Sequence, residues 1–236
     1  MSVYAIGDLH LSFNEEKPMS IFGSKWVDHD RQIEYNWLRV IKNDDLVILP
    51  GDFSWAINLN DTLKDFKFLN TLPGQKVFIK GNHDYWWTTL KSMNEFLENN
   101  QIKNISFIMN NAFLYKKTVV VGTRGWAFAD SENSEKMLRR ETNRLENSIL
   151  YAKQNMDLYD HEIICAMHYP PITKMMIEEG ESSEYLNILK KYSIKKCIYG
   201  HLHGKAHYEA VEGIIDGIEL KLVSSDYLNF IPLQID

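Results

Sequence analysis

The chain has 236 residues, 44% of them hydrophobic and 12% aromatic, which supplies a sizeable core and excludes a disordered polymer. Its formal net charge is −6 and it contains no run of five Lys and Arg, so a nucleic acid polymer, which selects a basic footprint, is not the expected partner. No stretch reaches the ~18 apolar residues of a membrane span, and Cys165 and Cys197 lie in apolar runs that read as buried thiols, not as a disulfide framework. The first strand is expected to begin almost at Met1, and no signal peptide is visible. A cytoplasmic location and one domain over residues 1–236 are expected.

A first strand at residues 3–6 runs into Gly7-Asp8-Leu9-His10. An irregular segment follows at 12–25, with Pro18 and Gly23, and loops of that length are often functional. Helical spacing of Ile33, Trp37, Val40 and Ile41 predicts a helix over 26–41. The second strand, 46–49, ends at Pro50-Gly51-Asp52. A helix capped by Asn58 or Asn60 should run to Leu72, where Pro73-Gly74 stops it. The third strand, 77–79, runs through Lys80 into Gly81-Asn82-His83-Asp84, and a helix over about 88–97 comes next. This β-α-β-α-β order implies parallel strands with right-handed crossovers. Short β-type runs at 106–108, 113–115 and 119–121 have hairpin-like spacing around Asn110-Asn111 and Lys116-Lys117. A loop at 122–134 and a charged surface helix at 134–156 follow. The fourth strand, 163–167, meets His168-Tyr169-Pro170-Pro171, and the fifth, 197–199, meets Gly200-His201-Leu202-His203, with a short helix near 183–191 between them. The tail (206–211, 214–223, 227–235) reads as antiparallel strands. The parallel and hairpin halves are expected to be two sheets of one sandwich.

Five apolar runs thus end in residues that bind metals. Their spread along the chain predicts strands of one sheet delivering such residues to a common edge, where active sites of open α/β sheets lie. The candidate ligands are Asp8, His10, Asp52, Asn82, His168, His201 and His203. Carboxylate, amide and imidazole together suit manganese, iron or zinc better than calcium. Asp-x-His and His-x-His put alternate side chains on one side of an extended segment, and Gly7, Gly51, Gly81 and Gly200 just before ligands allow sharp backbone turns. Seven ligands overfill one zinc-like ion and fit two divalent ions about 3.5–4 Å apart sharing a hydroxide, a clamp for in-line attack on phosphorus. Two such ions with Asp8, Asp52 and hydroxide keep roughly one positive charge, which attracts an anion even in an acidic protein. His83, adjacent to Asn82, is better placed to protonate a leaving oxygen or stabilise the transition state than to bind the same ion, with Asp84 orienting its ring.

These blocks, Asp8-x-His10, Gly51-Asp52, Gly81-Asn82-His83-Asp84, His168 and Gly200-His201-x-His203, resemble the calcineurin-like metallophosphoesterase superfamily, in its order and over nearly the whole chain. The resemblance implies a four-layer α/β sandwich, with two mixed β-sheets flanked by helices. It implies one metal held by Asp8, His10, Asp52 and His203, and another held by Asp52, Asn82, His168 and His201, with Asp52 as bridge. His83 would take the catalytic histidine role. Gly51-Asp52 is followed by Phe53-Ser54-Trp55-Ala56. The Asp-Arg pair of the Ser/Thr phosphatases is missing, and Trp55 replaces the ligand Tyr of purple acid phosphatases. The pattern is nearest the small bacterial and archaeal phosphoesterases.

The expectation is a metal-dependent phosphoesterase acting on a small phosphorylated molecule, with a bridging hydroxide attacking phosphorus. A nuclease or nucleotide phosphodiesterase/pyrophosphatase is the alternative, and a non-catalytic metal-binding scaffold is the competing non-enzyme. Arg124 is the candidate phosphate grip, since a guanidinium binds phosphate bidentately. Its plainer reading is a loop salt bridge. Trp126 and Tyr169, with Trp55, Trp86 and Trp87, are candidates for stacking on a substrate, or else simply core. Lys17, Lys25 and Trp26 could form a lid. His29, His161 and His207 are expected to be ordinary core or surface histidines.

Overall fold

The computed structural model describes residues 1–14, 17–128 and 131–236. Residues 15–16 and 129–130, parts of the two expected long loops, lie outside the described residues. In chain order, β1 (Val3–Ala5), α1 (His29–Val40), β2 (Leu46–Pro50), α2 (Leu63–Thr71), β3 (Gln75–Ile79), α3 (Leu90–Asn99) and β4 (Ile105–Phe107) form the first half. Then come β5 (Phe113–Tyr115), β6 (Thr118–Thr123), α4 (Glu132–Asn155), β7 (Glu162–Met167), α5 (Lys174–Glu178) and α6 (Glu184–Lys191). The chain ends with β8 (Lys196–Tyr199), β9 (Gly213–Ile215), β10 (Ile218–Leu222) and β11 (Leu233–Gln234). Among the described residues no helix is long and apolar enough to cross a membrane.

Two mixed sheets result, ordered β11-β1-β2-β3-β4 and β5-β6-β7-β8-β10-β9. Strands β1 to β4 are parallel and β11 is antiparallel to β1. In the other sheet β6, β7, β8 and β10 are parallel, with antiparallel β5 and β9 at its edges. Alternation along the strands sends one set of side chains to each face. Val3, Ala5, Ile48 and Val77 meet Val120, Ile164 and Ile198 between the sheets. Val47, Leu49 and Phe78 face Ile33, Trp37 and Phe66 of the first helical layer. Val119, Cys165 and Tyr199 face Leu145, Ile149 and Leu189 of the second. The layers are therefore helix, sheet, sheet, helix, and both cysteines are buried free thiols.

Several expectations give way to the structure. The run at 106–108 starts no hairpin; β4 joins β3 in the first sheet, and the chain changes sheets at Asn110-Asn111. The segment at 206–211 is largely a 3-10 turn (Gly204–Glu209), and of 227–235 only β11 is a strand. Strand β10 is antiparallel to β9 yet parallel to β8, since a strand deep in a sheet pairs on both sides. Nor is α4 only a solvated face. Its Glu141 is fully buried and accepts from Thr123 Oγ1 at 2.6 Å and Arg144 Nη1 at 2.7 Å, while Leu145, Ile149 and Ala152 pack on β6 and β7.

Gly7 joins the sheets. Its N–H donates to Val223 O at 2.7 Å, and its carbonyl accepts from Ser225 N at 3.0 Å. That stitch brings the end of β1 beside the ends of β8 and β10, and so places ligands from both halves together.

Candidate metal centre

All seven predicted ligands converge, but at the C-terminal ends of β1, β2 and β3 in one sheet and β7 and β8 in the other, not along the edge of a single sheet. The local backbone is unusual there. Asp8, His10, Asp52 and His201 have φ of 57°, 48°, 51° and 73°, a left-handed conformation that ordinary residues avoid and that clusters at functional sites. The turn is thus made mostly by the ligands themselves. The preceding glycines serve close approach: a Cβ on Gly51 would lie 2.6 Å from Gly81 Cα and 2.7 Å from His168 Nδ1, and one on Gly200 would collide with the Asp8 carboxylate.

The side chains form two adjoining groups. In one, His10 Nε2 lies 3.3 Å from His203 Nε2, and His203 Nε2 lies 3.4 Å from Asp8 Oδ1. In the other, Asn82 Oδ1 lies 2.6 Å from His168 Nε2 and 2.9 Å from His201 Nδ1, and those two nitrogens are 3.2 Å apart. Asp52 Oδ2 stands between, 3.8 Å from His10 Nε2 and 3.5 Å from His168 Nε2. Asp8, His10 and His203, and Asp8, Asp52 and His168, each present one ligand atom within 4.8 Å of the others.

The tautomers follow from the outer contacts. His168 Nδ1 lies 3.0 Å from the Pro50 carbonyl. A carbonyl only accepts, so Nδ1 carries the proton and Nε2 presents its lone pair to Asn82, Asp52 and His201. His203 Nδ1 donates to Asp226 Oδ1 at 2.8 Å, which aims its Nε2 at Asp8 and His10. Nitrogen and oxygen donors from both groups therefore crowd together in a buried space. Burial, then the charge of Asp8, pushes the Asp52 carboxyl up to about 8. Burial, then His168, holds His201 down to about 3, and burial also lowers His10 and His168. Burial opposes charge on His203 as well, but Asp8 and Asp226 raise it to about 10. Such a donor set fits divalent cations, which would satisfy the converging lone pairs and offset the two buried carboxylates.

His83 lies beside this set. Its N–H donates to Asp52 Oδ1 at 2.7 Å, its ring is 4.6 Å from that of Trp55, and its buried Nδ1 has no hydrogen-bond partner among the described residues. Asp84 does not orient it. The Asp84 carboxylate instead accepts from the N–H groups of Gly81 (2.7 Å), Asp52 (2.9 Å) and Phe53 (2.9 Å) and from Trp86 Nε1 (3.0 Å). It ties the β2 and β3 loops together, a positioning role that uses up its oxygens. Tyr169 sits against the centre, its ring 4.1 Å from His201. Trp126 stands one ring further out, 5.7 Å from Tyr169.

Arg124 is drawn away from the metal ligands. Its guanidinium pairs with Glu141 at 3.5 Å and lies 4.7 Å from the Trp126 ring, and it lines a separate basic cavity with Lys80, Arg140 and Arg144. Its carbonyl accepts from the N–H groups of His168 and Tyr169 at 3.1 and 2.9 Å, so its backbone braces the His168 loop. Trp86 and Trp87 are core. His29 is buried with Nε2 3.3 Å from His10 O, and His161 contacts carbonyls at the surface. His207 differs from the expectation: it lies 3.2 Å from Asp226 Oδ2 beside the centre. Asp226 itself is invisible in the sequence, since nothing in Ser224-Ser225-Asp226 ties it to a histidine 23 residues earlier.

The class defined by this two-sheet fold and its Asp/His cluster is met in the comparisons. The chain matches the calcineurin-like phosphoesterase family over residues 1–205. It belongs to that family and is a metal-dependent phosphoric ester hydrolase. No curated protein matches it. Among solved structures it is similar to a protein of unknown function from Aquifex aeolicus, at 18% identity and TM-score 0.50 over 99% of this chain and 95% of that one. It is also similar to phosphopantetheinyl hydrolase from Mycobacterium tuberculosis, at 12% identity and TM-score 0.56 over 99% and 95% of the two chains. A protein from Thermus thermophilus has 13% identity and TM-score 0.51 over 92% and 86%. At these identities the likeness is one of fold.

Proposed function

We propose that the chain hydrolyses the phosphate ester of a small molecule at a dinuclear centre. The observation that carries this is the position of Asp52 Oδ2 between His10 Nε2 and His168 Nε2, one nitrogen from each ligand group. Asp8, His10, Asp52 and His203 would hold one ion, and Asp52, Asn82, His168 and His201 the other. When bound, the ions supply Lewis-acid polarisation of the phosphoryl group and a hydroxide nucleophile. Asp226 fixes the His203 tautomer, as carboxylates behind metal-binding histidines do. Asp84 holds the loop that presents Asp52.

His83 is the proton donor to the leaving oxygen. Burial, then His168 and Lys17, hold it below the usual imidazole range, and the negative charge of a bound phosphate would raise it. Tyr169 and Trp126 border the substrate, and the phosphate grip expected of Arg124 is left to the metal ions. The test is a panel of p-nitrophenyl phosphate, its diester analogue, cyclic nucleotides and nucleoside diphosphates, assayed with manganese and after chelation. Manganese-dependent release from at least one is expected. Turnover that survives thorough chelation would overturn the reading.

A further inference from the structure

The cavity that opens on the metal ligands holds about 430 Å³, within the range of small-molecule sites. Its lining includes His83 and His203 on one side and Phe22, Lys25, Trp26 and Trp55 on the other. A substrate that takes its leaving-group proton from His83 extends its leaving group into this space.

Two rings there are arranged for something flat. Phe22 and Trp55 are parallel to within 9°, with centroids 6.5 Å apart. Trp55 is held rigidly: its Nε1 donates to Met19 Sδ at 3.0 Å, and its ring stacks on His10 at 4.8 Å. Phe22 is 57% exposed, an apolar ring facing water beside a catalytic cavity. The surrounding charge is positive. Lys17 Nζ lies 3.2 Å from the Trp55 ring centroid, and Lys25 lines the wall. The acid in the lining, Asp226, is engaged by His203, His207 and Gly204 N. Two parallel aromatic faces make their largest contact with a flat group, and Lys25 in the wall disfavours a cationic ligand.

We infer that the leaving group carries a nucleobase, held between Phe22 and Trp55, and that the substrate class is a nucleotide. This rests on the phosphoesterase reading above. The base displaces the Lys17 ammonium from the indole face, and that lysine then pairs with anionic oxygens of the substrate. In the reaction, water supplies the new P–O bond, the P–O bond to the nucleoside breaks, and the leaving oxygen takes the proton from His83.

The test uses pairs that differ only in the base: AMP against ribose 5-phosphate as monoesters, and their methyl esters as diesters, with the manganese-loaded protein. We expect the base-bearing member of the hydrolysed pair to be favoured about tenfold or more in kcat/KM, through KM. Phe22→Ala should bring that ratio close to one, and Phe22→Tyr, which keeps a ring, should retain it. Equal kcat/KM within the pair, or a preference that survives Phe22→Ala, would overturn the inference. Tryptophan emission gives a readout without turnover: AMP should quench it and ribose 5-phosphate should not, with quenching lost in Phe22→Ala. If p-nitrophenyl phosphate is cleaved while AMP neither quenches nor reacts, the nucleobase site falls and the phosphoesterase reading stands. If nothing is cleaved but AMP quenches, the reverse holds.

Discussion

Replacing Asp226 by Asn probes the outer layer of the metal centre without touching a ligand. In the native protein the carboxylate accepts from His203 Nδ1 at 2.8 Å and from Gly204 N at 3.0 Å, and lies 3.2 Å from His207 Nε2. Asn offers a single acceptor oxygen. If that oxygen serves His203, the amide NH2 points at the Gly204 N–H; if it serves Gly204, the NH2 points at His203 Nδ1–H. One donor faces a donor either way. Losing a charge-assisted bond of this kind costs about 1.5–3 kcal/mol, which predicts manganese binding weakened about 10- to 100-fold, the range found when such partners are removed. Asp226 lies in a turn outside the helices and strands, so the fold should survive. Calorimetric titration of manganese into the native and variant proteins, with circular dichroism as control, measures the effect. Affinity within about twofold of native, with an intact fold, would refute the claim that Asp226 sets the His203 tautomer for a metal.

Other predictions concern the frame of the site. Lys76 is fully buried on β3, donates to the Leu72 carbonyl, and is lowered by burial to about 7 from 10.5. Between those values the unfolded chain binds a proton that the native chain does not, so native stability rises with pH across this window, by up to about 5 kcal/mol at 1.36 per unit. Lys76→Met should be the more stable protein at pH 7, with the gap closing by pH 10; urea curves at both pH values check this, and parallel pH profiles would count against it. Asp84→Asn puts an NH2 among the N–H donors that surround the carboxylate and should lose about 2–4 kcal/mol in urea unfolding, together with most turnover. Gly200→Ala drives a methyl into Asp8 and should abolish high-affinity manganese binding. His83→Ala should bind metal as the native protein does and lose most turnover; normal turnover would remove His83 from the mechanism.

The centre was legible in sequence because each ligand follows a short apolar run, and a buried parallel strand leaves its sequence as such a run. Asp8, Asp52 and His168 stand at points where the strand pattern stops and polar residues begin. The helices were legible by spacing, although the start predicted at Trp26 gives way to a 3-10 turn (Ser24–Trp26), and α1 begins at His29. What could not be read depends on contacts distant in the chain. Ser106 pairs with Val77 instead of its sequence neighbours because the open edge of β3 is available. Asp84 looks like an orienting partner for His83 because it is adjacent, yet its oxygens are taken by backbone N–H groups some 31 and 32 residues away. Arg124 has the chemistry of a phosphate grip, but buried Glu141, 17 residues on, claims its guanidinium. Asp226 and the parallel pairing of Phe22 with Trp55 arise only when the loops fold over the strand ends.

The most direct test of the dinuclear proposal is the metal content of the protein after manganese loading and removal of free ion. Seven ligands shared through Asp52 predict about two ions per chain, falling to one or fewer in Asp52→Asn. A native stoichiometry of one or less, at concentrations where the enzyme turns over, would contradict the dinuclear account.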